Sequence, residues 1–169
     1  LGVIGSGKSH VAKLFGYPVF NADNEVAKLY RKNRKCFFKL RRKLPKYINS
    51  FPIKKKEILK AIADNNTNLK KIIKIVHPLV RFNMNKFLKK NNNKKYVVLD
   101  IPLLLENKIN KKKDILIFVD AKKKEIKKRL KKRKNYNPKT INILKKLQLP
   151  VEIKRKKSNF IIKNNFKND

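Results

Sequence analysis

The sequence predicts an α/β fold built on a parallel sheet, and three observations carry that prediction. Two short apolar runs, Tyr96-Val97-Val98-Leu99 and Ile115-Leu116-Ile117-Phe118-Val119, are continuous rather than alternating, the pattern of strands covered on both faces. Each is followed at once by an aspartate, Asp100 and Asp120. Segments of helical periodicity separate the strand runs, as the connections between parallel strands require.

In chain order, a glycine-rich stretch comes first. Residues 8–15 then place Val11, Leu14 and Phe15 on one helical side, with Gly16 as the stop and Pro18 just beyond. Val19-Phe20 reads as a short strand ending at Asn21-Ala22-Asp23, and Asp23 opens a helix to about residue 32 with Val26, Leu29 and Tyr30 inward. Residues 34–92 read as mostly helical, in segments 34–44, 53–63, 69–76 and 78–89. Pro45, Pro52 and Asn65-Asn66 punctuate them, and Pro78 suits the first turn of the last. After the two strand runs, 122–133 and 138–147 read as helices and Phe160-Ile161-Ile162 as a final strand. No internal repeat is visible.

A length of 169 residues suits one domain with a real core, and 41% hydrophobic residues exclude a disordered chain. No apolar run reaches the roughly 20 residues of a membrane span, so no membrane partner is expected. Cys36 is the single cysteine, which excludes an internal disulfide and fits a reducing cytoplasm. The charge is extreme, with 48 Lys+Arg against 11 Asp+Glu. It admits a nucleic-acid binder, since basic surfaces release counterions from phosphates, or a surface filled with lysine by composition bias. Lysines run through every segment, asparagine is abundant and tryptophan absent, and no helix-turn-helix, zinc-finger or RNA-recognition signature occurs. These favour composition bias, with no specific nucleic-acid partner. The lysine-rich stretches 111–113 and 122–134 are expected to be solvated.

Gly2-Val3-Ile4-Gly5-Ser6-Gly7-Lys8-Ser9 fits G-x-x-x-x-G-K-[ST] at every fixed position. Glycines let the backbone curl so that successive N–H groups face phosphate oxygens. The helix that follows adds its positive end. Lys8 is placed for the β- and γ-phosphates of ATP, and the Ser9 hydroxyl for a bridging Mg²⁺. Gly5, Ser6, Gly7, Lys8, Ser9 and His10 are therefore the candidate nucleotide-binding residues. A loop of this kind normally follows a buried strand; the sequence reads as clipped at its N-terminus, with that first strand missing.

Transfer to a hydroxyl calls for a carboxylate near the acceptor. Asp23 ends a strand on the same sheet edge as the loop, where ligands of open α/β sheets bind. On local sequence it reads equally well as the N-cap of the next helix.

The ordered set resembles the dephospho-CoA kinase family. It comprises Gly5-Ser6-Gly7-Lys8-Ser9, Val19-Phe20-Asn21-Ala22-Asp23, His77-Pro78-Leu79-Val80-Arg81 and the stretch Leu99 to Glu106, then Val119-Asp120-Ala121. Gln148, Pro150, Glu152-Ile153-Lys154-Arg155, Phe160-Ile161-Ile162 and Asn164-Asn165 continue it. The resemblance implies a three-layer P-loop kinase fold with a five-stranded parallel core in one domain over 1–169. The nucleotide-binding core would take 1–27, 93–130 and 151–169, a helical CoA-binding region 28–92, and a lid 131–150. It implies ATP-dependent phosphorylation of the ribose 3′-hydroxyl of dephospho-CoA, the last step of coenzyme A biosynthesis, by a cytoplasmic monomer or weak oligomer.

Under that resemblance Asp23 is the base or orienting group at the acceptor, and Arg133 meets ATP phosphates, though it reads equally as surface charge. His77 is a substrate contact or a helix cap, and Arg81 a CoA-side phosphate contact or a surface ion pair. Asp100 follows an apolar strand, as the Mg²⁺-organising aspartate of many P-loop enzymes does, and is the candidate to join Ser9 at Mg²⁺. Members of this family need not carry an acid there. The chain departs from the family pattern at Asn21, often Asp, at His10, commonly Thr, and at Val3, a frequent glycine whose replacement is tolerable if its φ is negative. The tail after Asn165 is short for the family. Two rival readings remain: another P-loop kinase acting on a nucleotide or small molecule, and a basic nucleic-acid-binding protein with a vestigial loop.

Overall fold

A computed structural model describes residues 1–132 and 136–166. The described elements are, in order, α1 (Lys8–Leu14), β1 (Val19–Asn21), α2 (Ala22–Lys32), α3 (Arg34–Lys43), α4 (Lys55–Asp64) and α5 (Asn66–Lys90). They continue with β2 (Val98–Asp100), β3 (Ile117–Asp120), α6 (Lys123–Lys131), α7 (Pro138–Lys146), α8 (Val151–Lys156) and β4 (Phe160–Lys163). The chain forms two compact units, one of Leu1–Val19 with Val98–Asp169 and one of Phe20–Val97.

In the first unit β3 and β4 run parallel, with Phe118 opposite Ile161 and Val119 opposite Ile162. Helices α6 to α8 occupy the connection, as a parallel pair demands. Leu1 lies along β3: its carbonyl accepts from the Val119 N–H at 2.9 Å and its amine donates to the Ile117 carbonyl. Phe118 and Val119 are buried, and α6 turns Ile126 and Leu130 inward at a four-residue spacing. The expectation of strands covered on both faces holds for Phe118 and Val119 only. Val98 and Leu99 are half-buried, and Ile115, outside the hydrogen-bonded strand, is exposed. Phe160 and Ile161 of β4 are also exposed, because β4 pairs with β3 alone among the described residues. Helix α8, which the sequence did not announce, starts after Pro150.

The second unit is a helical assembly around α5, which packs against α2, α3 and α4. Local chemistry sets the starts. The side chains of Asn21, Asn33 and Asn65 accept from Asn24, Cys36 and Thr67 N–H groups, so each opens a helix. Glu57 accepts from the backbone of Asn49, Ser50 and Lys54, which ties the loop before α4 to its first turn. The interior is filled by Leu29, Phe37, Leu40, Ile48, Ile62 and Ile72.

One boundary expectation is overturned here. Residues 69–76 and 78–89 were expected as two helices, with Pro78 in the first turn of the second; α5 runs through Pro78 as one helix of 25 residues. The apolar stripe explains the continuity, since Leu69, Ile72 and Val76 are buried and the half-buried Leu79, Val80, Asn83 and Phe87 keep the same spacing. Pro78 itself faces solvent. Packing of the stripe outweighs the loss of one backbone hydrogen bond and the strain of the ring, together about 3 kcal/mol.

Candidate active site around the phosphate loop

The loop Gly2–Ser9 follows Leu1 and turns directly into α1. Two glycines are required by geometry. A Cβ on Gly2 would stand 2.6 Å from the Val119 carbonyl oxygen and 2.8 Å from Ser6 Oγ. Gly7 takes φ 91°, a left-handed conformation that L side chains avoid. Val3, the position where a glycine was missing, is not among the residues with positive φ, so its side chain is tolerated.

The loop closes on itself. Ser6 N–H donates to the Val3 carbonyl at 3.2 Å, and Lys8 Nζ donates to the same oxygen at 2.8 Å. His10 and Val11 N–H groups then donate to the Gly7 carbonyl at 3.0 and 3.1 Å, which starts α1. No side chain caps this helix start and no acid stands in its first turn. The partial positive charge at that end of the helix favours an anion. Ser6 is fully buried, and its Oγ has no hydrogen-bond partner among the described residues. A curled backbone, an orphaned buried hydroxyl, a lysine and an uncapped helix start form a cradle suited to a polyphosphate.

Ser9 and His10 are exposed on the first turn of α1, and Asp100 is buried at the end of β2, the strand against which α1 packs. Gly5, Ser6, Gly7, Lys8, Ser9, His10 and Asp100 thus belong to one compact unit.

Two polar connections in this unit were not foreseen as site features. Asn164, just past β4, donates from Nδ2 to the Ser6 carbonyl at 2.9 Å and accepts at Oδ1 from the Phe166 N–H at 3.0 Å. The Arg129 guanidinium lies 4.3 Å from the centre of the Phe166 ring. The second connection is a buried ion pair. Lys154 Nζ lies 2.7 Å from Glu106 Oε1, with Lys154 1% exposed. Glu106 also accepts from the Leu149 N–H at 2.9 Å. Burial pushes the Glu106 carboxyl up, but hydrogen bonds from Lys154 and the backbone outweigh it and hold the group below the usual range. The sequence carried a trace of both, since Glu106, Lys154 and Asn164 stand in the segments that resemble the family, but nothing local gave them partners.

Asp23, His77 and Arg81 lie in the other unit. Asp23 is exposed in the first turn of α2, and the capping position belongs to Asn21, whose side chain accepts from the Asn24 N–H at 2.8 Å. That removes the N-cap reading of Asp23. His77 is not a helix cap either, because α5 begins at Asn66 and carries His77 in its interior, half-buried. Burial, then the guanidinium of Arg81 one turn on, pushes its imidazole pKa down, so the ring is neutral at pH 7. Arg81 is exposed. Arg133 lies outside the described residues.

Comparison with known proteins identifies the relatives of this chain. A family model described as dephospho-CoA kinase matches residues 1–169. The dephospho-CoA kinase of Bartonella henselae is 35% identical, over 95% of this chain and 85% of its own. That of Wolbachia sp. subsp. Brugia malayi is 34% identical with the same coverage. A crystal structure from Thermus thermophilus superposes with a TM-score of 0.73 at 27% identity, covering 97% of this chain and 85% of the other. The dephospho-CoA kinase of Campylobacter jejuni shares the fold, with a TM-score of 0.61 at 22% identity over 99% and 87% of the two chains.

Proposed function

Because this chain belongs to the dephospho-CoA kinase family, we infer that it transfers the γ-phosphoryl group of ATP to the ribose 3′-hydroxyl of dephospho-CoA, yielding ADP and CoA. The observation that carries the reading is the loop Gly2–Ser9, with its left-handed glycines, buried orphan Ser6 hydroxyl and uncapped start of α1. The curl from Gly5 to Ser9, with His10 behind it, receives the phosphates through backbone amides other than that of Ser6, which is turned to the Val3 carbonyl, and Lys8 balances their charge. The transfer is in line, without a covalent enzyme intermediate, so the rate gain comes from positioning and electrostatics.

Hard oxygen donors suit Mg²⁺, which keeps several waters and binds through one or two protein oxygens plus phosphate. The Ser9 hydroxyl, exposed beside the loop, and the Asp100 carboxylate, on the strand behind α1, match that donor set and would hold it. The ion supplies charge neutralisation at the transferring group when bound.

On the acceptor side, Asp23 orients the ribose hydroxyl and takes its proton. Its exposure and the capping of α2 by Asn21 support that role. Arg81, with the neutral His77 beside it, contacts the CoA-side phosphates. Arg133 supplies a further guanidinium to ATP from the lid at 131–150, a planar fork suited to phosphate oxygens. The helical region at 28–92 takes the CoA moiety. No described helix is long and apolar enough to cross a membrane. With Cys36 reduced and buried in α3, we place the enzyme in the cytoplasm as a monomer or weak oligomer.

The test is ATP-dependent conversion of dephospho-CoA followed by mass spectrometry, with adenosine and AMP as competing acceptors. Selective formation of CoA is expected, reduced by at least about 100-fold in Lys8→Ala. Preferential phosphorylation of AMP or adenosine would replace the acceptor, and no product from folded protein would sink the reading.

A further inference from the structure

The Ser6 carbonyl and the Gly7 N–H belong to one peptide plane, and this bond is trans, so the two groups point in opposite directions. Whatever holds the carbonyl therefore aims the N–H. Asn164 Nδ2 holds it, at 2.9 Å. We infer that Asn164 is a positioning residue, locking the Ser6–Gly7 peptide plane so that the Gly7 N–H faces the bound phosphate. The inference rests on the reading that this loop holds ATP phosphates.

The chemistry selects a carboxamide. The Ser6 carbonyl can only accept and the Phe166 N–H can only donate, so the side chain between them must do both at one length. Asn164 does so, accepting from Phe166 at Oδ1, which also fixes which way round the amide sits. Its own backbone N–H donates to the Asp120 carbonyl at 2.7 Å, so the strut is anchored on the end of β3. Phe166 is held in turn, its ring against Arg129 at 4.3 Å. Gly7 completes the fit, because a Cβ there would stand 2.2 Å from Asn164 Nδ2. Position 7 must lack a side chain both for its φ of 91° and for this approach.

Calorimetric titration of ADP and of dephospho-CoA into wild type, Asn164→Leu and Asn164→Asp tests the inference. Leucine keeps the volume without the hydrogen bonds, and aspartate sets an acceptor against the Ser6 carbonyl. ADP affinity is expected to fall about tenfold in Asn164→Leu and further in Asn164→Asp. Dephospho-CoA affinity and the urea midpoint should stay near wild type. Unchanged ADP binding in both variants overturns the inference. So does a parallel loss of both ligands and of the urea midpoint, which would make Asn164 a residue of the fold alone. Wild-type protein that bound no ADP would defeat the loop reading itself, visible before any variant is compared.

Discussion

Between residues 20 and 97 the interior is almost wholly hydrocarbon, with Asn68 as the buried polar exception among the described residues; its amide is satisfied by the Ala61 carbonyl at 3.0 Å. The unit that carries the phosphate loop instead buries Ser6, Asp100 and Lys154. Burying such groups opposes folding unless each is paired, and a buried ion pair roughly breaks even against hydrocarbon of the same shape. The contrast therefore separates two uses of sequence. In the helical unit burial is there to hold helices together, while in the loop unit buried polar groups hold a geometry that stability alone would not select.

That contrast can be broken from either side. The largest effect is expected at Asp23, where Asp23→Asn should lower turnover about 100- to 10,000-fold while shifting ATP affinity far less. Steady-state kinetics beside direct ATP titration reads both. An equal loss in the two would move Asp23 away from the acceptor.

Next comes the buried pair. Lys154→Met leaves the Glu106 carboxylate buried without its cation and should cost about 3–5 kcal/mol in urea denaturation. The double variant with Glu106→Leu should recover most of that loss. If Lys154→Met alone is neutral, the polar interior of this unit is not what holds it.

Leu40, fully buried in α3, is the matching probe of the helical unit. Leu40→Ala should cost about 2–5 kcal/mol while leaving ADP affinity at wild-type level. A change in ADP affinity at constant fold would erase the distinction between the units.

The smallest effect is in pH. His77 has its pKa depressed in the folded chain, from an ordinary 6.5. The unfolded chain therefore takes up the proton first as pH falls. Its contribution is fully present above pH 6.5 and is lost progressively below it. Urea midpoints of wild type and His77→Asn should diverge least at pH 5.5 and most at pH 7.5, since only the wild type carries this term. A constant difference would assign His77 no part in the pH dependence.

Much of this molecule was legible because the relevant physics is local. The phosphate loop declares itself through glycines that alone accept its backbone, and α3 and α6 through apolar residues three and four apart; α1 instead buries Val11 and Ala12 and leaves Leu14 and Phe15 of the expected side exposed. What stayed hidden depends on distant partners. Lys154 reads as surface until Glu106 is found opposite it, and Asn164 as one more asparagine until it meets Ser6. The N-cap reading of Asp23 stays open in the sequence for a different reason: Asn21 and Asp23 are both good caps, and only the end of β1 decides between them. Pro78 reads locally as the first turn of a new helix, whereas the stripe that overrides it spans the whole of α5.

That proline has a consequence for how the helical unit breathes. With no N–H at position 78, the carbonyl of Lys74 has no rung to carry, and both residues face water. Helix α5 is thereby divided into an N-terminal part clamped by Leu69, Ile72 and Val76 and a C-terminal part, bearing Arg81, whose inward residues are only half-buried. Amide exchange along α5 should accordingly step at Pro78, with protection close to global unfolding before it and faster local opening after it. The arm that carries Arg81 can then fluctuate while the core beneath it stays closed.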